Sequence, residues 1–300
     1  MKRKTLKVIQ KITRGMVNFP VIGFWSWRLI RYVRKALAID INIVTEYDED
    51  IKIKTNLADH MESRVFWQGF LEGDRGELLL LDELLSKDES QVFFDVGAHV
   101  GIFSMFAAKR IKVGDVHSFE PYKKHLERLR FNVELNNLDN VTIRRFVLGE
   151  TEGKAKLKVP IPGRSDDPLL AGSGGSSIMP FEVNSDNYEI HAVNKTTLDK
   201  YVDIENIGRV DIIKVDVEGA ELNVLKGGNG LLDRFRPHVL MELDQRYLER
   251  AGRTPDDVVD FWHRRDYTLH RIENDGSLSR LTSTDQLTTR QNILADPDTG

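Results

Sequence analysis

The amino-acid sequence predicts an α/β fold in which a mostly parallel sheet carries helices on both faces. From residue 91 onward, short apolar runs alternate with amphipathic stretches, and successive strand candidates begin about 25 residues apart. This alternation is typical of a parallel sheet whose crossover helices cover both of its faces. The chain has 300 residues, of which 40% are hydrophobic, and these suffice for one large core of this kind.

The N-terminal segment differs from the rest of the chain in charge. Residues 1–39 contain ten Lys and Arg and no acid, and subtracting those ten from the net charge of −4 leaves about −14 for the remainder. Asn18, Pro20 and Gly23 interrupt its apolar stretch, which therefore does not predict a membrane-spanning helix. Arg28 follows that stretch in place of a small-residue cleavage site, so a signal peptide is not expected. We expect a basic amphipathic helix that packs on the protein or, through residues 1–37, contacts an anionic membrane surface.

The sequence divides into two expected parts. Residues 1–61 would form the basic helical arm followed by a hairpin, since apolar and polar residues alternate on both sides of the acidic "DED" at 48–50. Residues 62–300 would form the α/β domain, beginning with a helix over 62–87. The chain contains no cysteine, which excludes disulfides, thiolate metal sites and a cysteine nucleophile. This composition fits a cytoplasmic protein, with peripheral contact at the inner membrane face as the alternative, and leaves the oligomeric state open.

The remaining elements follow from the local patterns. Helices are predicted over "VGIFSMFAAKR", "YKKHLERLRFNVELNN", "AELNVLKG" and "TPDDVVDFWHRRD", the last of which Thr254 would cap. Strands are predicted over "QVFFDVG", "DVHSFEP", "NVTIRRFVLG", "KAKLKV", "RVDIIKVDVEG", "RPHVLMELD", "YTLHRI" and "RQNILADP", the last of them antiparallel. Residues 160–180 contain four prolines and four glycines and are expected to form a long loop.

A short glycine loop joins the first strand of this domain to its helix. The loop has the pattern Asp95-x-Gly97-x-x-x-Gly101 and contains Ala98, His99 and Val100. Dinucleotide sites instead use G-x-G-x-x-G, whose middle glycine lets the backbone touch a pyrophosphate. Here His99 replaces such a glycine and the loop is shorter, so a pyrophosphate is disfavoured. The glycines would also suit a tight turn without a ligand.

An acidic residue about twenty positions further on narrows the choice of ligand. Glu120, followed by Pro121, ends the second strand, where a carboxylate can accept hydrogen bonds from both ribose hydroxyls. Together with the short loop, this pattern favours S-adenosylmethionine as the cofactor. We expect Asp95 to order the loop and to meet the amino-acid end of the cofactor. Val147 and Leu148, at the end of the third strand, would border its adenine.

Ionisable residues follow one another at alternate positions of the fourth strand. Lys214, Asp216 and Glu218 would then point to one side, although a central parallel strand is normally apolar on both faces. Glu242 of the next strand would lie at the level of Asp216. These four residues are the candidate catalytic groups, which would orient and deprotonate a hydroxyl acceptor. A purely structural ion pair of Lys214 with Asp216 or Glu242 is the alternative. No metal is expected, because two acids in one strand–helix turn, Glu218 and Glu221, are a weak metal signal.

The motifs together resemble the FkbM-type methyltransferase family over residues 62–295. The resemblance rests on "FFDVGAHVGIFSMFAAK", "VHSFEPYKKHLERLRFNVELNN", "TTLDKYV", "VDIIKVDVEGAELNVLKG" and "RPHVLMEL". Its most specific part is K-x-D-x-E-G-x-E, which runs here from Lys214 to Glu221. It implies a Rossmann-like class I methyltransferase sheet, S-adenosylmethionine as donor, and O-methylation of a sugar, glycan or secondary metabolite. The family commonly has Asn at the position of His99, and the Ser176-Ser177 pair also looks like the family.

Other functions remain open at the level of the sequence. A tRNA methyltransferase shares "FNVELNN" after "FEP", and a basic arm would suit RNA. The chain after the basic arm is acidic, however, and would repel phosphates. No N-P-P-type motif follows the fourth strand either, so a nucleic-acid partner is not favoured. A non-catalytic nucleoside-binding or membrane-associated module is a further alternative. An NAD-dependent oxidoreductase is disfavoured by the missing middle glycine. We expect a small-molecule or glycan acceptor.

Overall fold

The structure is a computed structural model of the chain. It describes residues 10, 11, 14, 41–48, 50–69, 74–161, 178, 185–282 and 290–297. The chain divides into two compact units, Met1–Asp74 and Arg75–Gly300. Most of the predicted arm, the Ser176-Ser177 pair and most of the predicted 160–180 loop lie outside the described residues. Among the helices that are described, none is long and apolar enough to cross a bilayer.

The described part of the first unit is built on an antiparallel hairpin. Its elements are β1 (Asn42–Asp48), β2 (Ile51–Asn56) and α1 (His60–Gln68). The predicted hairpin is confirmed, since β1 pairs with β2 from Asn42↔Asn56 to Asp48↔Ile51. Leu57, Phe66 and Trp67 form its small core with Ile43. Arg14 binds this unit through its guanidinium, which donates hydrogen bonds to the carbonyl oxygens of Glu46 and Phe66.

The second unit contains the predicted α/β fold. Its strands are β3 (Phe93–Val96), β4 (Val116–Phe119), β5 (Val141–Arg144), β6 (Val147–Leu148), β7 (Gly153–Pro160), β8 (Tyr188–Thr196), β9 (Ile212–Val215), β10 (His238–Asp244), β11 (Tyr267–Ile272), β12 (Leu278–Arg280) and β13 (Arg290–Pro297). Its helices are α2 (Asp74–Ser86), α3 (Ile102–Arg110), α4 (Lys123–Leu135), α5 (Leu198–Ile204), α6 (Glu221–Lys226), α7 (Asn229–Phe235), α8 (Gln245–Arg250) and α9 (Pro255–His263).

The central sheet has the strand order β12-β11-β13-β10-β9-β3-β4-β5. The pairs β3–β4, β4–β5, β3–β9 and β9–β10 are parallel, and β13 is antiparallel to both β10 and β11. This confirms the mostly parallel Rossmann-like sheet with an antiparallel last strand. The chain runs outward from β3 to β5 and then resumes at β9 on the other side of β3. Ligands bind doubly wound sheets outside the carboxyl ends of the strands at such a reversal.

The two faces of the central sheet differ in chemistry. Successive side chains of a strand point to opposite faces. We call one of them the apolar face, and its residues belong to one large buried cluster: Phe94, Val96, Phe119, Ile213, Val215, Val239, Met241, Leu243, Leu269, Ile293 and Ala295. The other, the charged face, carries Asp95, Ser118, Lys214, Asp216, Glu242 and Asn292 near the carboxyl ends of the parallel strands.

Two element predictions were wrong. The predicted third strand "NVTIRRFVLG" is broken: β5 ends at Arg144, and Val147-Leu148 form β6 in a separate sheet of order β6-β8-β7. The helix predicted over 62–87 is two helices, α1 and α2. The first of these is followed by Gly69 with φ +87°, a left-handed conformation typical of the residue after a helix. In the first case the hydrophobic pattern of the sequence continues past the end of a strand, and in the second it continues past the end of a helix.

Candidate functional site

The glycine loop after β3 packs against the end of β9 and against α4. Gly97 and Gly101 have φ values of +87° and +91°. A Cβ on Gly97 would lie 1.9 Å from the carbonyl oxygen of Asp216, and one on Gly101 would lie 2.2 Å from Cδ1 of Leu129. Close packing against the backbone at the end of β9 therefore requires glycine at position 97, and the positive φ favours glycine at both positions. The remaining predicted loop residues, Ala98, His99 and Val100, lie between these two contacts, and His99 also has a positive φ of 50°.

Asp95 lies beneath this loop. Its side chain is buried, and its Oδ2 accepts a hydrogen bond of 2.5 Å from Oγ of Ser104, which is itself 2.7 Å from Oγ of Ser118. Burial raises the pKa of Asp95, and the charge of Lys214, its cross-strand neighbour, opposes this rise. This geometry ties the first turn of α3 to β3. Whether Asp95 also meets a ligand remains a prediction.

Glu120 is buried at the end of β4, where it links the glycine loop to the segment that leads into α4. Its Oε2 accepts from the backbone N–H of His99 at 2.9 Å, and its Oε1 accepts from that of Tyr122 at 2.8 Å. Burial raises the pKa of Glu120 to about 8. The rings of His99 and His125 lie 3.9 Å apart beside it. The carboxylate is thus fixed beside the loop, with Pro121 next in the chain.

Lys214 and Asp216 form an ion pair at the reversal point of the sheet. Nζ of Lys214 donates a hydrogen bond of 2.9 Å to Oδ2 of Asp216. The side chain of Lys214 is 5% exposed, whereas that of Asp216 is 39% exposed. The ring of Phe103 lies 4.4 Å from the ammonium. The pair therefore consists of a buried cation and a carboxylate that opens toward solvent at the carboxyl edge.

The electrostatics of this pair keep both members ionised. Burial by itself lowers the pKa of Lys214, but the carboxylates of Asp216, Glu77 and Asp95 reverse this effect and hold it above its usual range. Burial works to raise the pKa of Asp216, yet the ammonium of Lys214 holds it below its usual range. Such carboxylates compensate for the hydration that the buried ammonium loses.

Glu242 lies at the level predicted for it. Leu240 and Met241 of β10 pair with Lys214 and Val215 of β9, which puts Glu242 beside Asp216. Its carboxylate forms an ion pair with the guanidinium of Arg290 on β13. Burial and the charge of Asp216 raise the pKa of Glu242 to about 7, against the opposing effects of Arg290 and Lys214.

Glu218 does not continue the strand, so the prediction that it lies in line with Lys214 and Asp216 was wrong. The strand β9 ends at Val215, and Glu218 adopts a positive φ of 54° in the turn before α6. Its carboxylate is hydrogen-bonded to the side chain of Tyr247. Burial and the nearby Asp216 raise its pKa well above the usual range. Glu218 therefore reaches the neighbourhood of Asp216 from the turn.

Glu221 has a local structural role. Its Oε1 accepts hydrogen bonds from the backbone N–H groups of Val217 and Gly219. The carboxylate thereby closes the turn that carries Glu218. In the described residues, no group of three or more acidic or histidine side chains is arranged to hold a metal ion.

Val147 and Leu148 do not end the third strand of the central sheet, contrary to the prediction. Both side chains are buried, Val147 with Leu157, Val159 and Val193, and Leu148 in the apolar-face cluster. Tyr122, the residue bound to Glu120, packs against the same group as Val147. The expected contact with an adenine ring remains a prediction.

The site contains residues that the sequence patterns did not single out. Glu77 of α2 and Asn292 of β13 are joined by a hydrogen bond of 2.8 Å between Oε2 and Nδ2. Arg290 pairs with Glu242, and Tyr247 with Glu218. Only Glu77 had a signal in the sequence: it is an acid on the apolar side of a helix, and acids are almost never fully buried unless they are paired.

Comparisons with known proteins find methyltransferases. The family model described as the methyltransferase FkbM domain matches residues 95–269. Methyltransferase 1 of Beauveria bassiana is 27% identical over 44% of this chain and 56% of its own length. Methyltransferase sdnD of Sordaria araneosa is 29% identical over 44% of this chain and 58% of its own. The chain thus spans little more than half the length of these curated relatives.

Two further comparisons cover more of this chain. The hexuronic acid methyltransferase AglP of Haloferax volcanii is 26% identical over 62% of this chain and 67% of its own length. A crystal structure described as methyltransferase FkbM from Methylobacillus flagellatus KT aligns with 69% of this chain and 44% of its own, at 18% identity and a TM-score of 0.42.

Proposed function

The chain belongs to the FkbM methyltransferase family, and from that premise we propose that it transfers a methyl group from S-adenosylmethionine to a hydroxyl oxygen of a sugar, glycan or secondary metabolite. The observation that carries this proposal is the ion pair of Lys214 with Asp216. It presents a partly exposed carboxylate, held ionised by a buried ammonium, at the reversal point of the sheet.

The cofactor would lie between the glycine loop and the end of β4. The donor set fits a nucleoside: Glu120 is held rigidly by two backbone N–H groups, and each carboxylate oxygen keeps acceptor capacity for a ribose hydroxyl. The glycine loop would cover the amino-acid end, with Asp95 fixing the loop from below. When bound, S-adenosylmethionine supplies an electrophilic methyl group on a sulfonium sulfur.

The acceptor hydroxyl would be oriented by Asp216 and Glu242. Methyl transfer is an in-line displacement, so positioning of the nucleophile accounts for much of the rate. Asp216 remains ionised and can accept a hydrogen bond from the hydroxyl. Burial and the charge of Asp216 raise the pKa of Glu242 to about 7, and a pKa near neutrality suits a group that takes up the proton. Lys214 keeps Asp216 charged without touching the acceptor.

The class of acceptor is inferred from two observations. The name of the relative from Haloferax volcanii, a hexuronic acid methyltransferase, supports a sugar. The part of the chain after the basic arm carries a net charge of about −14, which opposes binding to a phosphate backbone. We therefore favour a glycan or small-molecule acceptor over RNA.

A transfer assay and a binding assay test this function together. The purified chain is incubated with S-adenosylmethionine labelled in its methyl group and with separate glycan, lipid, small-metabolite and RNA fractions. We expect label in a hydroxyl-bearing glycan or metabolite fraction, and none in RNA. Calorimetry should show S-adenosylmethionine binding that weakens about tenfold in Glu120→Gln, since the amide nitrogen that replaces one carboxyl oxygen cannot accept a hydrogen bond from a ribose hydroxyl. Label in RNA alone, or no binding of the cofactor, would refute the proposal.

A further inference from the structure

A row of polar residues crosses the charged face at two levels. At the lower level, Ser118, Asp95 and Lys214 are direct neighbours on β4, β3 and β9. At the upper level, Asp216 follows β9, and Glu242 of β10 is paired with Asn292 of β13. Since Lys214 reaches up to Asp216, its ammonium lies between the two levels.

Glu77 approaches this row from the helix above the sheet. It is 4% exposed, and its Oε2 accepts a hydrogen bond of 2.8 Å from Nδ2 of Asn292. Position 292 is the cross-strand neighbour of Glu242, so the same side chain borders both carboxylates. Close packing anchors α2 at this point, because a Cβ on Gly76 would lie 2.0 Å from the carbonyl oxygen of Glu273.

The ammonium of Lys214 requires several carboxylates. It is almost fully buried, and burial of a cation is unfavourable unless nearby anions compensate for its lost hydration. Asp216 is partly exposed, so its attraction for Lys214 is screened by solvent. Glu77 and Asp95 are both buried and act on the same ammonium. Of these two, Glu77 is the one supplied by a helix rather than by the sheet.

We propose that Glu77 and Asn292 are positioning residues: Asn292 holds the carboxylate of Glu77 where it fixes the ammonium of Lys214 in contact with Asp216. This role rests on the proposed function of Asp216. Both residues lie outside the matched segment 95–269, one before it and one after it. The flanks of the chain therefore complete the charge balance of the candidate catalytic pair.

The first test is a double-mutant cycle in thermal unfolding, which needs no substrate. Glu77→Gln keeps the shape of the side chain and its capacity to bond Asn292 but removes the charge. We expect it to lower Tm by on the order of 4 °C in the native background and by less than about 1 °C in Lys214→Met, where no ammonium remains to be compensated. Glu83→Gln on the same helix, at an exposed carboxylate, is the matched control and should leave Tm unchanged.

An equal loss of Tm in both backgrounds would overturn the proposal, since Glu77 would then act independently of Lys214. If Lys214→Met does not fold, Lys214→Gln replaces it in the cycle.

The second test measures methyl transfer. Glu77→Gln should lower kcat about tenfold while the KM for the acceptor stays constant, and should have less than a twofold effect in Asp216→Asn.

The two tests separate this inference from the proposed function. If Asp216→Asn retains full transfer, the assignment of Asp216 fails, and the unfolding cycle still decides whether Glu77 stabilises Lys214. If Asp216→Asn abolishes transfer but the effect of Glu77→Gln is the same in both backgrounds, the positioning role alone fails.

Discussion

The two faces of the central sheet use the same strands for different purposes. On β3 and β9, Phe94 and Ile213 enter the apolar face, whereas their chain neighbours Asp95 and Lys214 enter the charged face. The apolar face is covered by helices that include α5 and α9 and contributes to stability through buried area. The charged face buries ions, which rarely adds stability compared with an apolar packing of similar volume.

The difference indicates where function lies in this fold. A central parallel strand is expected to be apolar on both faces, and the apolar face follows this rule. The charged face breaks it at the carboxyl edge, where a ligand would lie. Substitutions on the two faces should therefore have different effects. Those on the charged face should change the rate of methyl transfer, and those on the apolar face should change the free energy of unfolding.

The largest effect is expected for Asp216→Asn on the charged face. The amide keeps the shape of the side chain, but it carries no negative charge to pair with Lys214. It also cannot attract the proton of a hydroxyl as a carboxylate does. We expect kcat to fall about 10²–10⁴-fold, the usual contribution of a placed acid–base group. The fold should persist, because Glu77 and Asp95 still compensate the ammonium. Labelled methyl transfer measures kcat, and calorimetry checks that the cofactor still binds. An unchanged kcat would contradict the catalytic role of Asp216.

The opposite outcome is expected for Leu269→Ala on the apolar face. Leu269 is buried on β11, where it pairs with Ala295 at the level of Val239, away from the carboxyl ends of β3 and β9. Removing its side chain leaves a cavity and should lower the free energy of unfolding by about 2–5 kcal/mol. Chemical denaturation measures this loss. The kcat per folded molecule should stay within twofold of the unsubstituted protein, and a large drop in it would show that the two faces are not separable.

A pH profile sharpens the comparison within the charged face. Glu242 must be deprotonated to accept a proton, and burial and Asp216 raise its pKa to about 7 against the opposing charges of Arg290 and Lys214. We therefore expect kcat/KM to fall about tenfold per pH unit below pH 7 and to level off above it. Glu242→Gln should lower the plateau and abolish the inflection. Glu249→Gln, at an exposed position of α8, is the control and should retain it.

Local patterns predicted the parts of the fold that depend on nearby residues. The β1–β2 hairpin, the strand–loop–helix from Phe93 to Arg110 and the cap of α9 at Thr254 follow from alternation, glycine positions and capping chemistry. The level of Glu242 relative to Asp216 also follows, because both strands are parallel and end at the same edge. These features need no knowledge of which distant segments meet.

Other features depend on pairing that a local pattern does not contain. Val147-Leu148 continue the β-like sequence of the preceding strand, yet they pair with Lys195 and Thr196 of β8, a strand that was not predicted. Glu218 continues the alternation of Lys214 and Asp216, but the turn closed by Glu221 takes it out of line. Glu77 joins the site through a hydrogen bond to Asn292, which is more than two hundred residues away in the chain.

The smallest effect is expected at the capping box of α9, which supports the apolar face from outside. Oγ1 of Thr254 accepts from the N–H of Asp257 at 3.3 Å, and the Asp257 carboxylate accepts from the N–H of Thr254 at 2.7 Å. Val258 and Trp262 of the same helix are buried in the apolar-face cluster.

Thr254→Ala removes one of these two bonds, and the packing of Val258 and Trp262 remains. We therefore expect the free energy of unfolding to fall by only about 1 kcal/mol, less than for Leu269→Ala, with no change in transfer. Thermal and chemical unfolding of Thr254→Ala and Leu269→Ala, carried out side by side, measure how much free energy of unfolding each variant loses. A loss at Thr254 as large as that at Leu269 would mean that α9 docks only when its first turn is formed, and that the apolar face depends on a helix end rather than on buried area.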